Sequence, residues 1–129
     1  MLGWQQIGPH RYHTDGAFLY WEPHGAILPE HVPPFLVLLD QLGARTRRIT
    51  LLIDQRDGQP FGPVARRMVL DYLREARPDA FVAFVGSKLP QRAVNQLLIG
   101  AARMLFGYEL RHAHFDTVEE AQRHLKRPA

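Results

Sequence analysis

The sequence predicts an α/β domain with a layered, mixed sheet of about five strands and four helices, in the order β-β-α-β-α-β-α-β-α. Its 129 residues are the length of one domain, and no repeat or linker divides them, so residues 1–129 form a single predicted unit. Over the last two thirds of the chain, short apolar, β-rich segments alternate with longer segments of helical period. Strands that alternate with helices at crossover length should lie parallel.

The N-terminal segment predicts a β-hairpin. Residues 4–13 and 17–22 are strand-like, and residues 14–16 between them contain an Asp-Gly turn signal. Pro9 has no amide hydrogen for the ladder, so the first strand should lie at an edge or be irregular near that residue. In residues 17–22 both alternating sets of side chains are largely apolar, which indicates a strand covered on both faces.

The rest of the chain alternates between helices and strands. The first helix follows the apolar period of residues 32–42 and should end at Gly43. Pro33 and Pro34 must lie in or before its first turn, since an interior proline would clash with the preceding turn. A capping-box pattern places the start of the last helix at Thr117. The other predicted elements are strands over 48–54, 80–86 and 110–115, and helices over 63–76 and 90–106.

The helix predicted over residues 90–106 is unusually apolar, because Arg103 is the only charged residue from Leu97 onward. Ile99 and Phe106 should lie nearer its outer side. The helix is too short to span a bilayer, so either it is more buried than usual, or its outer face meets a partner protein, a second copy of the chain or an apolar ligand. The predicted core face comprises Ala93, Val94, Leu97, Leu98, Ala101, Met104 and Leu105.

Composition argues against several classes of function. Sixteen lysines and arginines oppose 13 acidic residues for a formal charge of +3, and the arginines are scattered rather than gathered into a patch, which argues against nucleic-acid binding. The absence of cysteine excludes disulfides, cysteine-ligated zinc, iron–sulfur clusters and a cysteine nucleophile. Residues 1–6 lack the basic and apolar regions of a signal peptide, so a cytoplasmic protein is expected.

The seven histidines raise the question of a metal site. His112 and His114 are two apart on a predicted strand and would share a face, but no carboxylate stands at a ligand spacing from any histidine, which favours structural histidines. No Gly-x-Ser-x-Gly context and no phosphate-loop signature is present. We therefore expect no catalytic residue, no metal, no cofactor and no enzyme activity.

Two predicted loops follow neighbouring parallel strands, at the edge where open α/β sheets tend to bind ligands. In the loop over residues 54–62, Arg56 could pair with Asp54 or with Asp57 and so hold the turn. The two carboxylates could in principle serve acid–base chemistry, but a polar loop held by its own side chains is the more ordinary explanation.

The loop over residues 86–92 joins a glycine turn to a helix N-terminus. Backbone N–H groups and the helix dipole favour an anion there, with Ser87, Lys88 and Arg92 as its side-chain contacts. The alternative is that Ser87 or a neighbour only caps the helix while Lys88 and Arg92 are solvated.

Several segments together resemble the STAS fold, in particular the SpoIIAA-like (STAS/SEC14-like) branch of anti-sigma-factor-antagonist-like proteins. They are GAILPE at residues 25–30, LLID at 51–54, FVAFVG at 81–86 and FDTVEEA at 115–121, in addition to the order of the elements. The likeness covers nearly the whole chain. These are core and boundary features rather than a catalytic signature, so they bear more on fold than on function.

The resemblance implies a regulatory or ligand-sensing module rather than an enzyme. In the phosphorylation-switched members, the loop after the central strand carries a serine in an Asp-Ser-x-Gly context, which a partner kinase modifies. Here the loop over residues 54–62 contains no serine or threonine. We therefore expect the fold without that phosphorylation switch.

The sequence thus favours a non-enzymatic, STAS-like regulatory module that acts by binding another protein. Its expected partner-binding surface comprises the loop over residues 55–62 and the start of the next helix, with the outer face of the apolar helix as a further contact or a homodimer interface. The partner-binding residues are Arg56, Asp57, Phe61 and Arg66. The alternative is a carrier or sensor of a small molecule or lipid, with an apolar pocket between the apolar helix and the sheet and an anionic head group at Ser87, Lys88 and Arg92.

Overall fold

The structure, a computed structural model, describes residues 3–16 and 18–125. Within them, six strands form one mixed sheet in the order β1-β2-β3-β4-β5-β6. The strands are β1 Gln5–Ile7, β2 His10–Asp15, β3 Phe18–Glu22, β4 Ile49–Asp54, β5 Ala80–Val85 and β6 Arg111–Phe115. The helices are α1 Val32–Thr46, α2 Pro63–Ala76, α3 Leu89–Phe106 and α4 Val118–Leu125, with a short 3-10 helix at Pro29–His31. The described residues therefore form a small α/β domain with a mixed sheet and four helices, as the sequence predicts.

The pairing of the strands follows the prediction. β2 and β3 form the antiparallel hairpin, with Asp15 opposite Phe18 and Gly16 at φ +60° in the turn. The strands from β3 to β6 pair in parallel. Successive parallel strands are joined by α1, α2 and α3, so the carboxyl ends of β4 and β5 meet at one edge of the sheet.

The number of strands is a correction to the prediction of about five. The strand predicted over residues 4–13 is two strands, because the chain turns back at Gly8 and Pro9. Gly8 has φ +59°, which favours glycine, and Pro9 cannot donate to a ladder. β1 therefore becomes a three-residue edge strand paired antiparallel with β2. The second predicted strand began at Ala17, which lies outside the described residues.

The sheet has an apolar core on each face. On β3, Leu19 and Trp21 point to the core shared with α1 and α3, while Tyr20 points to a second core that includes Ala121 of α4. This confirms that β3 is covered on both faces. Thr117 Oγ accepts the amide hydrogen of Glu120 at 3.1 Å, so the predicted cap at the start of α4 is present.

Helix α1 continues past its predicted end. Both Pro33 and Pro34 lie in its first turn as expected, but the helix runs through Gly43 to Thr46. A β-carbon at Gly43 would lie 3.4 Å from Ile49 Cδ1, so this position packs closely against β4 instead of ending the helix. The helix ends at Arg47, which has φ +64° and donates its N–H to Gly43 O at 2.9 Å.

The buried face of α3 differs from the prediction. Of the predicted core residues, Ala93 is exposed, and Leu97, Met104 and Leu105 are 61%, 83% and 69% exposed. Ile99, which was assigned to the outer side, is buried, and Phe106 packs against the core. The helix is apolar on two sides, so its period alone does not orient it. The buried residues of α3 are Gln91, Asn95, Leu98, Ile99 and Ala102.

None of the described helices combines the length and the apolar composition that a bilayer span requires. This agrees with the expectation that the apolar α3 is not a membrane span.

Candidate functional site

The two predicted loops meet at the carboxyl edge of the parallel strands. Gln55, directly after β4, donates its backbone N–H to Val85 O at 2.9 Å. Gly86, directly after β5, donates to Phe115 O at 2.9 Å. The loop after β4 is also tied to the segment after the neighbouring strand β3, because Gly25 N donates to Asp57 O at 2.8 Å. Backbone hydrogen bonds thus hold both loops in place.

A buried amide on α3 fastens the first loop. Gln91 Nε2 donates to Gln55 O at 2.8 Å and to Gly58 O at 3.0 Å. Its Oε1 accepts the backbone N–H of Lys88 at 2.8 Å, which satisfies one of the free amides at the start of α3. Gln91, rather than Ser87, therefore caps this helix.

A second buried amide, Asn95, lies one turn after Gln91 on α3 and pairs with the side chain of Gln55. Asn95 Nδ2 donates to Gln55 Oε1 at 3.0 Å, and Gln55 Nε2 donates to Asn95 Oδ1 at 3.3 Å. The Ser87 hydroxyl also donates to Gln55 Oε1. His114 Nε2 lies 3.4 Å from Asn95 Nδ2, and burial together with the charge of Arg92 lowers the pKa of His114 below its ordinary value. The group is a closed network of mutually bonded side chains.

The carboxylate that ends β4 forms the expected ion pair within the loop. Arg56 Nε lies 2.9 Å from Asp54 Oδ1, and Arg56 Nη2 lies 2.6 Å from Oδ2. Tyr20 donates its hydroxyl to Asp54 Oδ2 at 3.1 Å. Burial raises the pKa of Asp54, but the hydrogen bonds and charge of Arg56 outweigh it, so the pKa lies below its ordinary value. Asp57 is exposed, with Oδ2 3.9 Å from His24 Nδ1, and does not pair with Arg56.

Arg56 packs over Gly86, which makes this glycine sensitive to substitution. Gly86 has φ +66°, and a β-carbon there would lie 2.4 Å from Arg56 Cγ. Gly107, at the end of α3, has φ +65° with no heavy atom within 4 Å of a β-carbon. We expect Gly86→Ala to lower the free energy of unfolding by about 2 kcal/mol, and Gly107→Ala by about 1 kcal/mol, in urea titrations.

The difference in the free energy of unfolding between the Gly86→Ala and Gly107→Ala variants measures the steric clash with Arg56, because both variants share the same backbone strain. In an Arg56→Ala background, the excess cost of Gly86→Ala should disappear. Equal costs for Gly86→Ala and Gly107→Ala in the wild-type background would show that Arg56 does not pack closely over Gly86.

The structure places the residues assigned to an anionic ligand in two different settings. The Ser87 hydroxyl is bonded within the amide network, whereas Lys88 and Arg92 are exposed. An apolar cavity of about 80 Å³ does lie between the sheet and α1, α2 and α3, and Asn95 contributes a polar group to its lining. That volume is well below the roughly 300–1,000 Å³ of pockets that hold drug-sized ligands.

The two histidines of β6 each contact a protein atom. His112 Nδ1 lies 3.0 Å from Leu110 O, and His114 is bonded to Asn95. Within residues 3–16 and 18–125, no three histidine, aspartate or glutamate side chains come together in a way that could hold a metal ion.

A groove of about 480 Å³ lies on the outer surface between α2 and α3. Its charged wall is formed by α2 residues Arg66, Arg67, Asp71 and Arg74. Its apolar part comprises Pro63, Leu70, Leu97, Leu98, Ala101, Leu105 and Phe106. Beside the groove, α3 exposes further large apolar side chains, with Leu89 82% and Met104 83% exposed. The groove is thus an apolar surface rimmed on one side mainly by arginines.

No family model matches the chain, and no curated protein is detectably similar to it.

The four residues assigned to partner binding line different features. Arg56 lies against Asp54 and Gly86, and Asp57 lies near His24. Phe61 lines the apolar cavity beneath the helices, and Arg66 lines the groove between α2 and α3. Only Arg66 therefore belongs to the groove.

Sequence reasoning missed the buried amides and the orientation of α3. Gln91 and Asn95 are four residues apart, so they share a helix face, and polar residues at this spacing were the available signal. Their partners in the loop after β4 lie more than 30 residues away in sequence, which no local pattern reveals.

Proposed function

We propose that this chain is a non-enzymatic, STAS-like regulatory module of the SpoIIAA-like type, and that it acts by binding another protein on the face formed by α2 and α3. The α/β fold, with parallel strands joined by helices, is compatible with that family. The loop after β4 lacks a serine or threonine, so we propose that binding is not controlled by phosphorylation of this loop.

The exposed apolar row of α3 is the observation that most supports protein binding. Leu89, Leu97, Met104 and Leu105 are each more than half exposed on a single helix of 18 residues. A contiguous exposed apolar surface with a polar rim is typical of an interaction site. The outer face of a helix that is already packed against the sheet can meet a partner without any change in the fold.

The polar network at the sheet edge supports a structural role for those residues rather than catalysis. Among the described residues, every buried side-chain nitrogen or oxygen has a hydrogen-bond partner. Gln55, Gln91 and Asn95 bond one another and the backbone, an arrangement that rigidifies the loops beside the proposed surface. The small volume of the apolar cavity favours protein binding over the alternative of a lipid carrier.

Two exposed apolar side chains on different helices provide the test. Leu97 of α3 is 61% exposed and lines the groove, and Val37 of α1 is 54% exposed and does not line it. The tagged chain, purified gently from its own host and examined by native mass spectrometry, should retain a partner protein at fixed stoichiometry. Leu97→Asp should reduce the retained partner at least about tenfold, and Val37→Asp should leave it unchanged.

Thermal unfolding of both variants serves as the control for folding, since neither exposed side chain contributes much burial. Equal retention of the partner by a folded Leu97→Asp variant would show that the partner docks elsewhere. A small retained mass in place of a protein would favour the carrier function.

A further inference from the structure

The charges on α2 and α3 are unbalanced. Both carboxylates of α2 are used by one arginine, with Arg74 Nη2 3.6 Å from Asp71 Oδ1 and 3.2 Å from Glu75 Oε1. Helix α3 contains no aspartate or glutamate. Four further arginines on the two helices form no ion pair with any side chain of residues 3–16 or 18–125. They are Arg66 and Arg67 on α2, and Arg92 and Arg103 on α3.

The two helices therefore have a net charge of +3, equal to the formal charge of the whole chain. The rest of the chain is neutral on balance. Of the four arginines without an ion pair, Arg66 and Arg67 lie on the groove face beside Leu97 and Leu105, whereas Arg103 lines a separate pocket with Glu109 and His112. A partner that buries this face must supply carboxylates, because unpaired arginines that are excluded from water lose hydration without compensation.

The groove also limits the shape of the partner. It runs beside residues 63–74 of α2 and 97–106 of α3, which at 1.5 Å per residue is about 15 to 18 Å, or roughly three turns of a helix. Ala101 lies between Leu97 and Leu105 on α3, and its small side chain lets another backbone approach closely. A groove between two neighbouring helices is the kind of surface into which a row of side chains on a third helix packs.

We propose that the groove between α2 and α3 binds an acidic amphipathic helix of a partner protein. This rests on the proposed function, and it specifies the chemistry of the partner. The apolar side chains of that helix, at spacings of three and four residues, contact Leu97, Ala101 and Leu105. Its carboxylates flank that stripe and pair with Arg66 and Arg67.

The other occupants fit less well. A second copy related by a two-fold axis would bring the same arginine-lined surface to both sides of the interface and supply no excess of carboxylates, which costs free energy through like-charge repulsion. An anionic membrane is attracted by the arginines, but a flat surface leaves the concave part of the groove unfilled.

The probe is a fluorescein-labelled amphipathic peptide of leucine, alanine and glutamate, about four turns long, measured by fluorescence anisotropy against the full chain. The matched peptide has lysine in place of every glutamate. We expect the glutamate peptide to bind at least about tenfold more tightly than the lysine peptide, and its affinity to fall as salt is raised.

Two pairs of variants locate the binding site. Arg67→Glu should weaken binding of the glutamate peptide about tenfold, whereas Arg45→Glu, the same change on the exposed surface of α1, should not. Leu97→Asp should abolish binding, and Val37→Asp should leave it unchanged. Thermal unfolding again confirms that each variant is folded.

Each of three results would overturn the inference. One is equal affinity for the two peptides, or affinity that survives both Leu97→Asp and Arg67→Glu. Another is a concentration-dependent dimer that Leu97→Asp dissociates, which would assign the groove to a second copy. The third is Leu97-dependent binding to phosphatidylglycerol vesicles without binding of the glutamate peptide, which would assign it to a membrane.

The proposed protein-binding function and the proposed acidic-helix partner can be overturned by different results. If the wild-type chain retains a host partner and Leu97→Asp loses it, but the glutamate peptide does not bind, the proposed protein-binding function is supported and the proposed acidic helix is ruled out. If Leu97→Asp retains the host partner fully, the partner does not bind at the proposed surface, whatever the affinity of the glutamate peptide.

Discussion

Gln91→Leu should lower the free energy of unfolding by about 3 kcal/mol. The substitution removes three hydrogen bonds, to Gln55 O, Gly58 O and Lys88 N, and supplies no replacement. Gln55 O keeps only the 3.2 Å bond from Gly58 N. Gln91 is 2% exposed, so water cannot readily take over the lost bonds. Urea titration followed by circular dichroism measures the loss.

Gln96→Leu is the matched control, because Gln96 lies on the exposed side of the same helix and the chemical change is identical. It should change the free energy of unfolding by less than about 0.5 kcal/mol. A cost for Gln91→Leu that is no larger than the cost for Gln96→Leu would contradict the capping and loop-fastening role assigned to Gln91.

Acidification should destabilise the chain through His10. The His10 side chain is fully buried, its Nδ1 accepts the backbone N–H of His24 at 3.0 Å, and its Nε2 lies 3.0 Å from His31 Nδ1. Leu28 N donates to the same His31 nitrogen at 3.1 Å, which makes that nitrogen an acceptor and His10 Nε2 the donor. The neutral form of His10 therefore satisfies both of its nitrogens.

Burial, with the neighbouring histidines, lowers the pKa of His10 from 6.5 to about 4. Between these values the unfolded chain binds a proton that the folded chain does not, so stability falls as the pH drops from 6.5 toward 4. The full shift corresponds to a loss of about 3 kcal/mol. The carboxyl of Asp54, whose pKa lies below its ordinary value of 3.8, acts mainly at still lower pH.

Urea titrations at a series of pH values measure this loss, and His10→Gln isolates it. The glutamine variant has no group that titrates at this position, so its stability should depend less on pH over this interval. His124→Gln, on the exposed surface of α4, should keep the wild-type dependence. Identical dependences for wild type and His10→Gln would show that His10 does not resist protonation in the folded chain.

The local sequence pattern predicts the orientation of a helix correctly only when its apolar residues lie on one side. α2 begins at Pro63 and ends before Pro78 as predicted, because proline suits the first turn and the charged residues define the outer face of the helix. α3 is apolar on two sides, and its prediction placed Leu97, Met104 and Leu105 in the core although all three are exposed. The ion pair between Arg56 and Asp54 was one of two predicted alternatives. It could be predicted from the sequence because the two residues are only two positions apart.

The sequence by itself determined the α/β class, the order of the later strands and helices, and the hairpin, because these depend on periodicity and on turn residues that act over a few positions. The tertiary structure alone decided which face of α3 packs on the sheet. That choice depends on Gln91 and Asn95, which need buried polar partners, and the loop after β4 supplies most of them. Once those amides point inward, the large apolar side chains of the opposite face are left at the surface, where they form the candidate binding groove with α2.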